Sequence, residues 1–143
     1  EHNPETHLIP LVIDAALGKR ESVSVFGTDY DTPDGTCIRD YVHVVDLCDA
    51  HLLALDYLNA GQPSAAFNLG TGAGFSVREI IDAVKAVSGK PVRVVETARR
   101  PGDPPKLIAN SKKAKEVLGW TPKYDDVRIT VETAWNYHRR RQS

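Results

Sequence analysis

Apolar side chains recur along the chain at two different spacings, and each spacing predicts a different kind of element. Repeats of three to four residues predict five helices, over residues 6–19, 46–59, 76–88, 111–118 and 127–140. Short β-branched or apolar runs predict strands or extended segments, over residues 23–27, 37–44, 66–69, 92–96 and 107–109. Helices that alternate with short strands in this way are typical of an α/β domain.

The predicted helix starts rest on capping chemistry. Thr6, Asp46 and Ser111 each precede an apolar repeat, where an oxygen-bearing side chain can accept a free backbone N–H. Ser76 is followed three residues later by Glu79, which is the pattern of a capping box. We therefore expect the helix after Ser76 to have a well-defined first turn.

The second helix illustrates how a buried face is predicted. Its apolar positions Leu47, Ala50, Ala54 and Leu58 recur at helical spacing, so we expect this stripe to face the core. The turn-forming run at residues 61–63 is expected to end the helix.

Composition narrows the class of protein. The chain has 143 residues, 41% of them hydrophobic and 26% charged, as in an ordinary globular domain. A net charge of −1 argues against broad binding to nucleic acid, and no apolar run is long enough to cross a bilayer. Cys37 and Cys48 fit neither a disulfide framework nor a zinc spacing, so we expect reduced thiols in the cytoplasm. The chain lacks methionine and begins in a loop-like stretch, so we expect a fragment of a longer protein.

The stretch from Ala66 to Ile80 places three glycines between an apolar run and a helix start. A strand, a glycine-rich turn and a helix in this order can cradle the phosphates of a dinucleotide. Two features favour a plain strand-to-helix turn instead. Phe75 or Val77 falls where the cradle needs its third glycine, and Ser76 with Glu79 already caps the helix. Both interpretations stay open on these residues alone.

Two arginines have the chemistry of an anion-binding pair. Arg39 lies inside an apolar strand, where an unpaired charge is costly, and its neighbour Asp40 points to the other face. Arg100 leaves a strand and enters a loop stiffened by proline. Because guanidinium groups match phosphate geometry with paired donors, Arg39 and Arg100 could clamp one anionic ligand. The alternative is a buried ion pair together with surface arginines.

Two further patterns concern metals and catalysis. Cys48 and His51 lie three positions apart on one helix face, a spacing that suits two metal ligands. An ordinary polar helix face is favoured, because no third or fourth ligand follows at metal spacing. None of the five tyrosines is followed by a lysine four positions later, so this chain lacks the proton relay of short-chain dehydrogenases.

A longer block at residues 26–51, FGTDYDTPDGTCIRDYVHVVDLCDAH, resembles the signature of the UDP-glucose 4-epimerase family. Similar segments follow its order along nearly the whole chain: THLIPLV, FNLGTGAGFSVREI and RRPGDPPKLIANSKKAKEVLGWTPKY. The first block is the most specific, whereas the last is shared by many extended short-chain dehydrogenases. The resemblance implies that residues 1–143 form the α/β C-terminal substrate-binding domain of an extended short-chain dehydrogenase, with about five helices.

The resemblance also implies a division of labour. In that family an N-terminal Rossmann domain holds NAD and the catalytic tyrosine, lysine and serine or threonine, none of which is in this chain. A hydride passes from C4 of the bound sugar to NAD and returns to the other face of the 4-keto intermediate. We therefore expect UDP-glucose or UDP-galactose and the protein's own Rossmann domain as partners, a homodimer as is frequent in such enzymes, and no catalysis by this chain alone.

Substrate-binding roles are implied for eight positions: Leu8, Ser24, Val25, Phe26, Arg39, Arg100, Asp103 and Leu107. By resemblance, Ser24 to Phe26 line the uracil, Leu8 packs near the nucleotide, the two arginines bind the diphosphate and Asp103 binds the ribose hydroxyls. Leu107 stands where the family limits the room around the sugar, and leucine is intermediate in size. Tolerance of N-acetylated sugars is therefore an open hypothesis. His7 departs from the asparagine that many members have.

Two other functions stay open. The first is another extended short-chain dehydrogenase of nucleotide sugars, such as a 4,6-dehydratase or a UDP-glucuronate epimerase or decarboxylase. The second is a nucleotide-sugar-binding module without catalysis. Activity of the full-length protein on UDP-galactose distinguishes the first, and an upstream glycine-rich βαβ unit with a Y-x-x-x-K motif excludes the second.

Overall fold

A computed structural model describes residues 5–140. The helices in this range are α1 (Leu8–Ala16), α2 (Val44–Asn59), α3 (Val77–Ser88), a π-helical turn (Ala114–Leu118) and α4 (Val127–Arg140). The strands are β1 (Val23–Phe26), β2 (Ile38–Arg39), β3 (Phe75–Ser76), β4 (Val94–Thr97) and β5 (Lys106–Leu107). The predicted α/β class with about five helices is confirmed.

The strands form two small sheets. β1 and β4 pair in parallel, with Val23 opposite Val94. β2 lies between β3, which is antiparallel to it, and β5, which is parallel to it. Ile38 N also donates to the carbonyl of Pro105 at 2.8 Å. The loop that follows β4 is thereby brought beside Arg39.

The larger hydrophobic cluster is enclosed by α1, α3, α4 and β1. Its side chains without exposed surface are Val12, Ile13, Ile80, Val84 and Val131. The predicted capping box at the start of α3 is confirmed: Glu79 N donates to Ser76 Oγ at 3.1 Å, and Ser76 N donates to Glu79 Oε2 at 2.7 Å. These bonds satisfy backbone donors that would otherwise be buried without partners.

The smaller hydrophobic cluster joins α2 to the π-helical turn, through Ala50, Ala114, Leu118 and Trp120. Trp120 is 2% exposed, and its Nε1 donates to the carbonyl of Asp46 at 2.8 Å. Phe67 and Leu69 pack against this cluster from the segment before the glycine turn. α2 therefore packs through one narrow side.

The side of α2 that packs differs from the predicted stripe. Ala50 is buried as expected, but Leu47 and Leu58 are 38% and 51% exposed, so the prediction for these two residues is wrong. We call the exposed apolar surface formed by Val44, Leu47, Leu52, Leu55 and Leu58 the open face of α2. This helix is apolar around more than half of its circumference, so spacing alone could not identify which side is buried.

Asp46 is not the cap of α2. The N-cap is His43, whose Nδ1 accepts from Val45 N at 3.1 Å. Asp46 instead lies fully buried in the first turn, where its two oxygens accept from the backbone N–H groups of residues 123–124 at 2.9 Å each. A buried carboxylate needs such donors, and these come from a distant segment that local sequence does not reveal.

Two other predicted starts also shift. α1 begins at Leu8 with His7, not Thr6, at the N-cap. Before the π-helical turn, Asn110 Oδ1 accepts from Lys112 N at 3.0 Å, a role predicted for Ser111. At α1 the side chain of His7 makes no capping hydrogen bond, and before the π-helical turn asparagine and serine are both competent caps, so a competent residue type alone does not fix where a helix starts.

Two predicted strands are shorter or lack a partner. Of residues 37–44 only Ile38 and Arg39 pair, and residues 62–70 have no strand pairing within the described range. A strand requires a free neighbouring edge, and both edges of β2 are already occupied by β3 and β5. The apolar run at 66–69 therefore packs on the smaller cluster, through Phe67 and Leu69, without joining a sheet.

The glycine turn binds a carboxylate of the chain itself. Asp40 Oδ1 accepts from the N–H and the hydroxyl of Thr71, at 3.0 and 2.7 Å. Asp40 Oδ2 accepts from the N–H groups of Gly72 and Ala109, at 3.1 and 3.3 Å. A Cβ on Gly70 would lie 2.5 Å from the same Oδ2. The turn thus has the donors of an anion cradle, and Asp40 occupies them.

Candidate functional site

A cavity of about 420 Å³ lies where α1, β1, β2 and the loop after β4 converge. Its lining residues are Glu5, Thr6, Leu8, Leu11, Arg20, Val23, Ser24, Phe26, Cys37, Arg39, Tyr41, Val77, Arg100 and Asp103. Six of the eight predicted substrate-binding residues belong to this set: Leu8, Ser24, Phe26, Arg39, Arg100 and Asp103. We call it the arginine cavity, because two of these six residues are arginines.

Arg39 is held in place by oxygens of β2 and of the loop after β4. Its Nη1 donates to the carbonyls of Ile38 and Pro104, at 2.8 and 2.9 Å. Its Nη2 donates to Asp103 Oδ1 at 3.3 Å. An ion pair is thus present, yet a guanidinium has five donors, so part of it remains for a ligand.

Arg100 is held differently. Its guanidinium carbon lies 3.8 Å from the centroid of the Phe26 ring, which is the geometry of a cation–π contact. Within residues 5–140, Arg100 forms no ion pair. Its charge is therefore available to an anion in the cavity.

β1 presents alternate side chains to the arginine cavity. Ser24 and Phe26 line it, whereas Val25 is 1% exposed and packs in the larger cluster on the opposite face. Successive side chains of a strand point to opposite faces, so this division is expected. The side chain of Val25 does not face the cavity.

Leu107 lines a neighbouring cavity of about 630 Å³ and is 60% exposed. This second cavity also includes Arg39, which is the register partner of Leu107 in the β2–β5 pair. Phe67 and Leu69 form its other side. An elongated ligand bound at Arg39 would therefore extend past Leu107.

Several lining residues are absent from the predicted set, of which Tyr41 is the clearest. Cys37, Arg39 and Tyr41 are spaced two residues apart and all line the cavity. That alternation is a signal that could have identified Tyr41, because side chains two apart on a strand share a face. Burial raises the pKa of Tyr41 to about 12, although the positive charge of Arg39 acts to lower it. The phenol therefore stays protonated at neutral pH and can donate a hydrogen bond.

Residues 5–140 contain no group of three or more His, Cys, Asp or Glu side chains placed to hold a metal ion. Cys48 is exposed, and His51 Nδ1 lies 2.7 Å from the carbonyl oxygen of Leu47. In the same range, no helix has both the length and the apolarity that a membrane span requires.

The arginine cavity combines cationic groups, an aromatic ring and a carboxylate, so it suits a flat ligand that also carries negative charge. Together with the α/β core, it fits the class of extended short-chain dehydrogenases that act on nucleotide sugars. The sequence model of the GDP-mannose 4,6 dehydratase family matches residues 1–132. The chain belongs to this family.

Similar proteins are UDP-glucose 4-epimerases. That of Rhizobium meliloti (strain 1021) is 59% identical over 140 residues, which are 98% of this chain and 42% of the relative. A crystal structure of a UDP-glucose 4-epimerase matches with a TM-score of 0.95 and 54% identity, over 100% of this chain and 44% of that chain. The Bifidobacterium longum enzyme in complex with NAD+ and UDP matches with a TM-score of 0.84 and 37% identity, over 94% of this chain and 39% of that chain. The chain thus spans less than half of these proteins and corresponds to their C-terminal portion.

Proposed function

We propose that residues 1–143 are the UDP-sugar-binding portion of a UDP-glucose 4-epimerase, which interconverts UDP-galactose and UDP-glucose. The observation that carries the proposal is the convergence of Arg39, Arg100, Phe26 and Asp103 on one cavity. The names of the relatives, and the UDP in the Bifidobacterium longum complex, support a uridine nucleotide as the ligand.

Five lining residues of the arginine cavity have a role in this proposal. The remaining donors of Arg39 and the unpaired charge of Arg100 bind the diphosphate. Ser24 and Phe26 lie along the uracil, and the free oxygen of Asp103 accepts from the ribose hydroxyls. The sugar then extends past Arg39 into the second cavity, where Leu107 limits its room.

NAD is proposed to bind elsewhere in the protein. The residues described here do not fit it, because the donors of the glycine turn are already bonded to Asp40. We propose an N-terminal Rossmann domain as its site, where bound NAD accepts and returns the hydride at C4 of the sugar. This chain then supplies affinity and orientation, which is the usual division between a protein and its cofactor.

The open face of α2 supports a Rossmann domain as a partner. Leu52 and Leu55 are 62% and 54% exposed on a helix that packs only through its other side. On the packed side of the helix, the segment 62–70, whose Phe67 and Leu69 contact the smaller cluster, lacks strand pairing within the described range. A contiguous exposed apolar surface marks an interface, and an unpaired segment can add to the edge of another sheet. A parallel α/β domain has both a sheet edge and apolar faces to offer.

The name of the matching family favours one alternative, a 4,6-dehydratase of another nucleotide sugar. The test is an assay of the full-length protein with UDP-galactose and, separately, with GDP-mannose. We expect conversion of UDP-galactose to UDP-glucose without loss of water. Dehydration of GDP-mannose with no activity on UDP-galactose would favour the alternative and contradict the proposal.

Two further experiments refine this proposal. Residues 1–143 alone are expected to show no epimerase activity with added NAD, and any turnover would refute the division of labour. Comparison of UDP-galactose with its N-acetylated counterpart measures how much room Leu107 leaves.

We also propose a cytoplasmic location, which suits the two free cysteines. A homodimer is proposed as well, and the molar mass of the full-length protein, measured by static light scattering, would test it.

A further inference from the structure

Two adjacent arginines after β4 point in opposite directions. Arg100 lies over Phe26 in the arginine cavity. Arg99 turns away toward the loop after β1, where its Nε donates to Asp29 Oδ1 at 2.7 Å and its Nη2 donates to the Asp29 carbonyl. Its guanidinium carbon lies 4.2 Å from the centroid of the Tyr30 ring. In an extended segment, neighbouring side chains alternate in this way.

Gly27 provides the space in which Arg99 lies. A Cβ at Gly27 would be 2.5 Å from Tyr30 Cε2 and 2.7 Å from Arg99 Cγ, and the φ of Gly27 is +88°. Both the contact and the left-handed backbone favour glycine at this position. Gly27 N also donates to the carbonyl of Thr97 at 2.9 Å, at the end of the β1–β4 pair. Past that bond, the hydrogen bonds of Arg99 link the segment that follows β4 to the segment that follows β1.

The loop that receives Arg99 is itself fixed. Tyr30 is 5% exposed, and its N–H donates to the carbonyl of Gly35 at 2.9 Å. Farther along the loop, Asp34 Oδ1 accepts from the N–H of Thr36 at 2.9 Å, and Asp34 Oδ2 accepts from the hydroxyl of Ser76 at the start of α3. Arg99 is therefore bound to a loop that is anchored on the larger cluster.

We propose that Arg99 is a positioning residue that holds the loop after β4 so that Arg100 faces the diphosphate of the ligand. The inference rests on the proposed binding of a UDP-sugar. A side chain that is already fixed loses less conformational freedom when the ligand binds, so affinity rises without a new contact. The hydrogen bond from Arg99 also lowers the pKa of Asp29, so this carboxyl is charged at neutral pH.

The experiment measures binding of UDP and of uridine by calorimetry to the full-length protein and its variants. Arg100→Ala should weaken UDP binding by about 10- to 100-fold, as for a lost hydrogen bond to a charged group. Arg99→Ala should weaken UDP binding by about 3- to 30-fold, as for residues of one coupled network. Both variants should weaken uridine binding by a smaller factor than UDP binding, because uridine lacks the phosphates that Arg100 binds.

A double-mutant cycle separates positioning from an independent effect. If Arg99 acts through Arg100, then Arg99→Ala adds no further loss in a protein that already carries Arg100→Ala. A full additional loss in the double variant would show that Arg99 acts on its own, and it would overturn the inference.

Two single variants exclude a simple charge effect. Asp29→Ala removes a negative charge, which by electrostatics alone would strengthen UDP binding, whereas loss of the anchor should weaken it. Arg93→Ala is the matched control, because Arg93 pairs with Glu21 beside the same sheet and does not line the cavity. Its UDP affinity should stay within about twofold of the unaltered protein, as for an exposed ion pair.

Folding and the proposed function are checked in the same series. The side chain of Asp29 is 75% exposed, so Asp29→Ala should leave the fold intact. This variant therefore provides the test if Arg99→Ala unfolds. Absence of UDP binding by the unaltered protein would overturn both the proposed function and this inference. Binding that Arg100→Ala weakens, but that Arg99→Ala and Asp29→Ala leave unchanged, would overturn this inference alone.

Discussion

The two hydrophobic clusters differ in how completely they enclose their apolar side chains. In the larger cluster, Val12, Ile80 and Val131 have no exposed surface. In the smaller cluster, Trp120 is buried, but the helix above it leaves Leu52 62% exposed. Within the described residues, the larger cluster is therefore fully enclosed, whereas the helix that covers the smaller one keeps much of its apolar surface exposed.

Each of the two cavities lies beside one of the two clusters. The arginine cavity is lined by α1 and β1, which are fixed by the larger cluster. The second cavity is lined by Phe67 and Leu69, which pack on the smaller cluster. In the proposed function, the arginine cavity beside the larger cluster holds the nucleotide. The sugar lies in the second cavity, at the boundary where a catalytic domain would join. The same proposal places the hydride acceptor near C4 of the sugar at this boundary.

The largest effect is expected from a cavity in the larger cluster. Ile80→Ala should lower the free energy of unfolding of the chain by about 2–5 kcal/mol, because a fully enclosed site cannot collapse around the lost atoms. Leu118→Ala in the smaller cluster is the matched truncation and should cost less. Chemical denaturation measures both losses, and a greater loss for Leu118→Ala would reverse the comparison.

A smaller loss is expected where β3 meets β2, between the two clusters. A Cβ at Gly74 would meet Ile38 Cγ2 and would lie 2.6 Å from Ile108 Cδ1. Gly74→Ala should therefore cost about 1–3 kcal/mol through overpacking, measured by denaturation.

Gly72 is the control for Gly74. It has open space around its Cα but a φ of +75°, so Gly72→Ala should cost only about 1–2 kcal/mol of backbone strain. Gly74 does not have a positive φ, so the absence of any loss in Gly74→Ala would show that the close contact contributes nothing.

Acid should weaken the link between the loop after β1 and α3. Burial raises the pKa of Asp34, but hydrogen bonds from Ser76 and Thr36 outweigh it, so the pKa is lowered from 3.8. A lowered folded-state pKa stabilises the fold above the unfolded value, and the contribution is lost as the pH falls through the folded value. Asp34→Asn should cost about 1 kcal/mol at neutral pH. The free energy of unfolding of this variant should also fall less steeply below about pH 4 than that of the unaltered protein. The same pH dependence in both proteins would contradict this.

The smallest effect in this chain is expected on the open face of α2. Leu55 is 54% exposed, so Leu55→Ser should change the unfolding free energy of residues 1–143 by less than about 0.5 kcal/mol. In the full-length protein the same change should cost about 1–2 kcal/mol, because the proposed Rossmann domain buries that side chain. Thermal unfolding of both proteins gives the comparison, and equal effects would remove the support for an interface here.

Local signals were sufficient for several elements and for part of the site. The capping box of Ser76 and Glu79 and the bounds of α4 agree with the structure, because short-range hydrogen bonding and helical spacing define them. The pairing of Arg39 and Arg100 as a candidate anion clamp was also predicted, from residue type and from placement beside strands. Convergence of both arginines on one cavity is in agreement with that expectation.

Other features depended on contacts between distant segments. His43 caps α2 in place of Asp46, because the buried carboxylate of Asp46 accepts from backbone donors 77 and 78 positions farther along the chain. The glycine turn binds Asp40 rather than a phosphate, through donors of Thr71 and Gly72. Local sequence predicts neither of these contacts, because each joins groups from different elements.

Residue order alone therefore specified the α/β class, the positions of most helices and the chemistry of the two arginines. These properties arise from interactions within a few residues and from side-chain type. The tertiary structure decided which side of α2 is exposed, which donors Asp40 occupies, and that Arg99 faces the loop while Arg100 faces the cavity. Those outcomes depend on which segments meet in space, and packing of the whole chain selects among alternatives that are locally equivalent.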